Sequence, residues 1–291
     1  MSLRNRHPGC ACAVFACVLL PAVFGVNPVT AGIGLLSGML FYCLLEEDVP
    51  WKSLCLYSAL TAGSGIINPL FNHNGRTVLF FLNRNPVTLE AALYGLTMGG
   101  LIASALVWAR CFTRVMDTEK LETVTGRLSP KISLILCMAL RYVPLFREQA
   151  ARVREAQKGL GLIREENGID RLRGALRVMD GMATWGLENG VTTADSMAAR
   201  GYGCGKRTRY SPYPWERADT ALTVLCLGLT AAFCAAWAAG RTGWTWYPEL
   251  KVPEAGAAGV AAYAAFAALC AVPSLLEIKD RWKWKTLRSR I

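Results

Sequence analysis

Charged residues are scarce in this chain of 291 residues. They make up 18% of the sequence, whereas 53% of the residues are hydrophobic. An average soluble domain carries roughly 25% charged residues. The hydrophobic residues are grouped in long runs, which is typical of membrane-spanning helices and not of one large soluble core. The composition therefore predicts an integral membrane protein.

Metal-binding and catalytic patterns are also missing. The sequence holds only two histidines, His7 and His73, and its eleven cysteines form no CxxC pair and no Cys/His cluster with zinc-like spacing. The HExxH pattern of zinc proteases and the GxSxG pattern of serine hydrolases are absent. Most cysteines lie inside apolar runs, where a thiol behaves as a small hydrophobic group. We therefore predict no catalytic residues, no metal site and no cofactor.

Nucleotide-binding and ion-relay signals are missing as well. The segment GYGCGKRT follows a predicted helix, and a phosphate-binding loop would need Gly at position 200 and Ser or Thr at position 207, where this chain has Arg200 and Arg207. We predict spans without membrane-embedded carboxylates, the usual sign of a proton or ion relay, which disfavours a secondary transporter with a charged midplane site. The sequence thus indicates a membrane protein that transmits work done by other subunits.

Six apolar runs predict six transmembrane helices. They lie at about residues 10–26, 29–45, 53–70, 88–110, 219–240 and 255–276. Residues 71–86 are too polar at their ends and too short in their centre to cross a membrane, and they predict an external hairpin or a re-entrant segment. The expected fold class is all-α, a polytopic membrane protein with about six transmembrane helices and a cytoplasmic module of long helices.

The basic residues define three parts of the chain. Residues 1–110 and 218–291 hold the predicted transmembrane helices, and residues 111–217 hold 18 of the 32 lysines and arginines. Since basic segments stay in the cytoplasm, we place the middle part and both termini on the cytoplasmic side. This topology accounts for the net charge of +11 without a nucleic-acid partner.

A long helix is predicted from Asp170, a suitable N-cap, to Arg200 and Gly201. Apolar and small residues recur at helical spacing, and they predict one narrow face on which Gly186 and Gly190 let a second helix approach closely. The predicted face consists of Leu172, Leu176, Met179, Ala183, Gly186, Gly190, Ala194 and Met197. Gly201 suits the left-handed position that ends a helix. Arg200 either complements the dipole of its own helix or delivers a cation to a partner.

Two motifs in this middle part resemble a known family. AQKGLGL at residues 156–162, followed by ADSMAARGYG at residues 194–203, resembles the paired signature of the transmembrane T-component of energy-coupling factor transporters. The segments 68–96 and 128–146 are similar to that family too, so the resemblance covers most of residues 68–209.

The resemblance implies a non-catalytic scaffold subunit of an ATP-driven importer of vitamins or transition-metal ions, in a bacterial cell membrane. In that family two coupling helices, each ending in Ala-Arg-Gly, dock onto two ATP-binding cassette ATPase subunits, while the membrane part holds a substrate-binding S-component. By position, the second motif of this chain is Ala199, Arg200 and Gly201.

The first motif departs from the family pattern. Gly159, Leu160 and Gly161 stand where the first Ala-Arg-Gly is expected, so the cation is missing. Either Lys158 or Arg164 replaces it, or the first contact is apolar. Three other functions stay open from the residues: a stand-alone permease that binds its own substrate, a membrane-embedded enzyme, and a membrane scaffold unrelated to ATPases.

Overall fold

The computed structural model describes residues 3–46, 51–82, 85–162, 168–205, 213–247, 250 and 256–288. This part of the chain is almost entirely helical. In chain order its helices and strands are α1 (Pro8–Phe24), α2 (Pro28–Leu45), α3 (Trp51–Phe71), β1 (Val78–Leu82), β2 (Asn85–Thr88), α4 (Leu89–Val115), α5 (Thr118–Leu128), α6 (Pro130–Gly159), α7 (Gly168–Ala199), α8 (Arg217–Ala238) and α9 (Ala257–Arg288). A short 3-10 helix, Leu3–Asn5, precedes α1.

Five of the described helices are long and apolar enough to cross a membrane, namely α2, α3, α4, α8 and α9. The sixth apolar helix, α1, has 17 residues, which is the lower limit for crossing a bilayer. The prediction of an all-α, multi-pass membrane protein is therefore confirmed. Each predicted span coincides with one of these helices, although α4 and α9 extend well beyond the residues predicted for them.

The segment between α3 and α4 forms a small hairpin. Strand β1 pairs with β2 in antiparallel orientation, with Phe81 opposite Pro86. Of the two alternatives that the sequence left for residues 71–86, the hairpin is the one observed. It is the single departure from helical structure large enough to form a sheet in the described part of the chain.

The chain divides into two compact units. The first, which we call the membrane unit, comprises Met1–Leu121 and Tyr213–Ile291, and the second, the helical unit, comprises Glu122–Pro212. The membrane unit contains all the apolar helices named above. The helical unit is built mainly from α6 and α7.

In the membrane unit, α3 and α4 pack closely because two glycines face the contact. A Cβ atom on Gly95 would lie 2.6 Å from the Ser64 carbonyl oxygen and 2.6 Å from the Asn68 Cβ. A Cβ atom on Gly99, one turn further along α4, would lie 2.7 Å from the Ser64 Cβ. Small residues four positions apart let helix backbones approach in a membrane, where dispersion contacts supply most of the attraction.

An aromatic cluster fills the centre of the membrane unit. Phe15 of α1, Phe41 of α2 and Trp108 of α4 are each at most 1% exposed. The Trp108 and Phe41 rings stack with centroids 5.8 Å apart. The Trp108 indole N–H donates to the Gly34 carbonyl at 3.0 Å, which satisfies the one polar group of this side chain. The core thus ties together the first, second and fourth helices.

Two buried carboxylates stand at the beginnings of membrane helices, within the predicted spans 88–110 and 219–240, so the prediction that the spans hold no membrane-embedded carboxylate was wrong. Glu90 and Asp219 lie in the first turns of α4 and α8. Glu90 accepts a hydrogen bond from the Thr77 amide at 3.2 Å, and Asp219 accepts one from the Glu216 amide at 3.3 Å. Glu90 thus binds the segment that leads into the hairpin, whereas Asp219 caps its own helix, and each carboxylate lies at the end of its helix.

Candidate docking site

Helices α6 and α7 pack against each other in antiparallel orientation. Near one end of the pair the Tyr142 and Thr193 hydroxyls are 3.0 Å apart. Near the other end the Arg177 guanidinium donates to the Leu162 carbonyl at 2.8 Å. Since α6 runs toward Leu162 and α7 runs away from it, the carboxyl ends of the two helices lie at opposite ends of the pair.

The distance between these ends follows from helix geometry. The Phe146 and Trp185 rings meet in an edge-to-face contact with centroids 5.4 Å apart. At 1.5 Å of rise per residue, the path from Leu160 back to Phe146 and on from Trp185 to Arg200 measures roughly 40 Å. One helix pair therefore presents its two carboxyl-terminal tips about as far apart as a small domain is wide.

The face of α7 that packs differs from the predicted one. Gly174, Val178 and Met182 are the buried residues of α7, and none of them belongs to the predicted face. Of the two glycines predicted to allow close approach, Gly186 does so, because a Cβ atom there would lie 3.1 Å from the Phe146 ring. At Gly190 a Cβ atom would meet nothing within 4 Å, so none of the described residues approaches it closely.

Most of the predicted face is instead exposed. Leu172 is 62% exposed, Leu176 56% and Met179 68%, and the nearby Leu187 is 74% exposed. Two apolar stripes run along α7. The helix packs against α6 with the stripe that has the smaller side chains, because glycines let the α6 side chains approach the α7 backbone. We call the exposed residues Leu172, Leu176, Met179 and Leu187 the apolar stripe of α7.

The start of α7 also differs from the prediction. The helix begins at Gly168, two residues before the predicted N-cap Asp170. Asp170 lies in the first turn, 3.8 Å from the Arg173 guanidinium. A carboxylate is favourable there because the amino end of a helix carries partial positive charge.

The tip of α7 is the motif Ala199, Arg200 and Gly201. Ala199 is the last helical residue, and Gly201 adopts the left-handed conformation with φ +80°. The Tyr202 amide donates to the Met197 carbonyl at 3.0 Å, and the Gly201 amide donates to the Ala198 carbonyl at 3.0 Å. These two bonds define the Schellman termination of a helix.

All three motif residues of this tip are exposed. Arg200 forms no ion pair with any residue that the structure describes. Tyr202, which follows the motif, is 54% exposed. The sequence analysis assigned Tyr202 no role. Its position between two glycines, which do not cover its ring, was the signal that could have indicated an exposed aromatic residue at this tip.

The tip of α6 has the same backbone. Gly159 is the last helical residue, Leu160 is the C-cap and Gly161 has φ +68°. The Leu162 amide donates to the Gln157 carbonyl and the Gly161 amide to the Lys158 carbonyl, both at 3.0 Å. The two tips thus differ in side chains and not in backbone conformation.

The cation of the α7 tip has an exposed apolar counterpart at the α6 tip. Leu160, which occupies the position of Arg200, is 75% exposed. Lys158 is also exposed, in the last turn of α6. Arg164, the other residue considered as a replacement for the missing cation, lies outside the described residues.

The Schellman backbone alone does not define a docking site, because α8 ends in the same way. Gly240 has φ +70°, and the Arg241 amide donates to the Ala236 carbonyl at 3.1 Å. What distinguishes the tips of α6 and α7 is their place at the two ends of one antiparallel pair. In this arrangement each tip can contact a separate partner surface.

Comparison with known proteins finds relatives that match most of the chain. No family model matches it. Several curated relatives carry the name energy-coupling factor transporter transmembrane protein EcfT. The protein from Exiguobacterium sibiricum is 26% identical over 253 residues, which cover 78% of this chain and 92% of that protein.

Two streptococcal proteins of the same name give similar results. The one from Streptococcus equi subsp. equi is 24% identical over 226 residues, covering 70% of this chain and 81% of that protein. The one from Streptococcus thermophilus is 32% identical over 175 residues, covering 52% and 66%. Together, these relatives and the membrane helices identify the chain as an EcfT-like transmembrane T-component of energy-coupling factor transporters.

Proposed function

We propose that this chain is the non-catalytic energy-coupling subunit of an importer driven by ATP. In this proposal residues 111–217 form the coupling module, which links two ATP-binding cassette ATPase subunits to a membrane S-component that captures a vitamin or a transition-metal ion. The observation that carries the proposal is the pair of matching tips, Gly159–Gly161 and Ala199–Gly201, at opposite ends of one helix pair. The names of the relatives support the transporter assignment.

The α7 tip suits an acidic or carbonyl-rich groove. Arg200 is exposed, and its guanidinium offers five donors and a permanent charge, so it can bind a carboxylate or the last carbonyls of a partner helix. Ala199 and Gly201 on either side present little bulk, so a partner backbone can come close. We expect Arg200 to be the main contact at this tip.

The α6 tip suits an apolar pocket. Leu160 offers no hydrogen bond, and burying its exposed side chain in a partner would contribute through the hydrophobic effect, at roughly 25 cal/mol per Å² of area buried. We therefore propose that Gly159, Leu160 and Gly161 dock onto a surface that differs from the one that binds Arg200. Two unlike docking surfaces favour two unlike ATPase subunits over two copies of one.

The apolar stripe of α7 gives a place for a membrane partner. Soluble surfaces rarely expose a row of large apolar side chains of this kind, and these four are 56–74% exposed. We propose that the S-component, itself a membrane protein, covers this surface together with lipid. A displacement of the coupling helices would then act directly on the S-component.

The distribution of charge supports a location in the bacterial cell membrane with both termini and the coupling module in the cytoplasm. The lysines and arginines are concentrated in residues 111–217 and in the C-terminal tail, and basic segments are retained on the cytoplasmic side. There both tips would meet ATP-hydrolysing subunits.

The test is co-purification of tagged chain with its candidate ATPase subunits in detergent. Arg200→Glu should reduce recovery of the ATPases, because loss of a charged interface contact costs about 2–5 kcal/mol. Arg147→Glu on α6 is the matched control, since Arg147 is exposed in mid-helix and away from both tips. It should leave recovery unchanged.

The other outcomes separate the alternatives. Equal recovery with wild type and Arg200→Glu would retain the complex and reduce Arg200 to a helix cap. If folded, membrane-inserted wild type recovers no ATPase, the coupling function is wrong, and a stand-alone permease that binds substrate by itself takes its place.

A further inference from the structure

The chain passes between the two units twice. It leaves the membrane unit after Leu121 and re-enters it at Tyr213. The segments 115–121 and 213–219 are therefore the covalent paths by which a displacement of the coupling helices reaches the membrane unit. Both segments contact the same short stretch, residues 3–10, which we call the N-terminal clamp.

The outgoing segment is attached through Lys120. This side chain is almost fully buried, with 2% exposed. Its ammonium donates to the Val115 carbonyl at the end of α4 and to the Arg4 carbonyl in the clamp, both at 2.7 Å. Burial lowers the pKa of Lys120, an effect that the nearby Asp117 opposes.

The returning segment is attached through an ion pair. The Arg6 guanidinium lies 3.0 Å from the Asp219 carboxylate, with 14% and 3% of the two side chains exposed. Asp219 also completes the capping box of α8 with Glu216. Separating a buried ion pair leaves an uncompensated charge away from water, which is strongly unfavourable, so this contact holds the start of α8 against the clamp.

Ring contacts join the same three segments. The His7 and Trp215 rings pack with centroids 4.7 Å apart. The Lys120 ammonium lies 5.8 Å from the centre of the Tyr213 ring, within the range of a cation–π attraction. Through this last contact the outgoing and returning segments touch each other as well as the clamp.

The clamp itself is held firmly in the membrane unit. Leu3, at its start, is fully buried, and residues Leu3–Asn5 form a 3-10 helix. His7 caps α1 by accepting from the Gly9 amide at 3.0 Å. The attachment points for both connections thus lie on one short, structured piece that continues into a membrane helix.

We infer that the N-terminal clamp joins the two connections into one mechanical unit, with Arg6, Lys120 and Asp219 as the positioning residues of energy coupling. A displacement of the coupling helices is then passed to the membrane helices and is not absorbed by two separately flexible connections. The role in coupling rests on the proposed function. The alternative is that each contact stabilises its own segment independently.

Amide hydrogen exchange of the full-length protein in detergent micelles separates these two possibilities. Arg6→Gln removes a contact between the clamp and the returning segment only, so it is the deciding variant. Lys120→Met removes the two hydrogen bonds of the outgoing segment together with the direct contact to the Tyr213 ring, and it should speed exchange in both segments. If the clamp is one unit, Arg6→Gln speeds exchange in 115–121 as well as in 213–219. If Arg6→Gln speeds exchange only in 213–219, the inference is overturned.

The controls keep the result decisive. Arg152→Gln breaks the exposed pair with Glu148 on α6 and should leave exchange in both segments unchanged. Should Arg6→Gln fail to insert, Arg6→Lys, which keeps the charge without the planar fork, is measured in its place and judged by the same two outcomes.

The ATPases should co-purify with Arg6→Gln as with wild type, because both tips are intact. Failure of wild type to recover them would overturn the proposed function, while the exchange result would still decide whether the clamp is one unit.

Discussion

Gly201 and Gly161 have a backbone conformation that is energetically unfavourable for residues with a side chain. Their φ angles are +80° and +68°, in the left-handed region, where an L-residue with a Cβ atom costs roughly 1–2 kcal/mol. Gly201→Ala should therefore lower the free energy of opening at the α7 tip by about that amount. Exchange of the Tyr202 amide, which closes the Schellman motif, measures this effect.

Gly190 provides the control with the opposite sign. It lies inside α7 with open space around its Cβ position, so Gly190→Ala should stabilise the helix by about 0.5–1 kcal/mol. If both substitutions change the opening free energy in the same direction, the left-handed tip is not what makes Gly201 necessary.

The burial of Lys120 should make the folding stability of the protein depend on pH. Burial lowers its pKa from the ordinary value of 10.5, so between the lowered value and 10.5 the unfolded chain binds more protons than the folded one. Stability contributed by this group therefore rises with pH across that window and is lost as pH falls through the lowered pKa. The unfolding free energy of wild type should rise with pH relative to that of Lys120→Met, and denaturant titrations in detergent from neutral pH to pH 10.5 measure the difference. Parallel curves would show that Lys120 is not desolvated.

At the scale of helices, the contact between α3 and α4 depends on glycine more than any other described contact in the membrane unit. Gly95→Ala would place a methyl group 2.6 Å from the Ser64 carbonyl oxygen, and backbone cannot move aside as a side-chain end can. We expect a loss of about 1–3 kcal/mol from overpacking, seen as a lower midpoint of thermal unfolding in detergent. Gly63→Ala on α3, where a Cβ atom would meet nothing within 4 Å, should not lower it.

Helices were predictable from the sequence where one signal dominated. Long apolar runs located the six apolar helices, five of which are long enough to cross a membrane, since a helix satisfies its own backbone inside a bilayer. The tip of α7 was also predictable, because Arg200 followed by Gly201 is a strong local termination signal. The packing face of α7 was not predictable, because α7 has two apolar stripes. The stripe with Gly174, Val178 and Met182 is buried through contacts that the sequence does not display.

The N-terminal clamp lay beyond sequence reasoning for a related reason. Arg6 and Asp219 are 213 positions apart, and each taken alone looks like an ordinary flank of a membrane helix. Lys120 looks like one of many cytoplasmic lysines until its burial is known. Long-range polar contacts of this kind leave no periodicity or spacing for a single sequence to reveal.

At the scale of the whole molecule, the proposed function makes the two tips one bivalent ligand. They are separated by roughly 40 Å of helix and share no contact among the described residues, so each can engage its own ATPase subunit. Linked contacts raise overall affinity because the second binding event becomes intramolecular. An ATPase pair should therefore bind far more tightly to the intact chain than to a chain with one working tip.

This arrangement predicts additive losses. Leu160→Glu places a charge where we propose an apolar contact, and Arg200→Glu reverses the charge at the other tip. Each should weaken binding of the ATPase pair, measured as the Kd of the purified subunits for immobilised chain. Because the sites are far apart, the double variant should lose the sum of the two free energies within about 0.5 kcal/mol. A double variant no weaker than Arg200→Glu alone would mean that Leu160 makes no contact and that a single tip holds the ATPases.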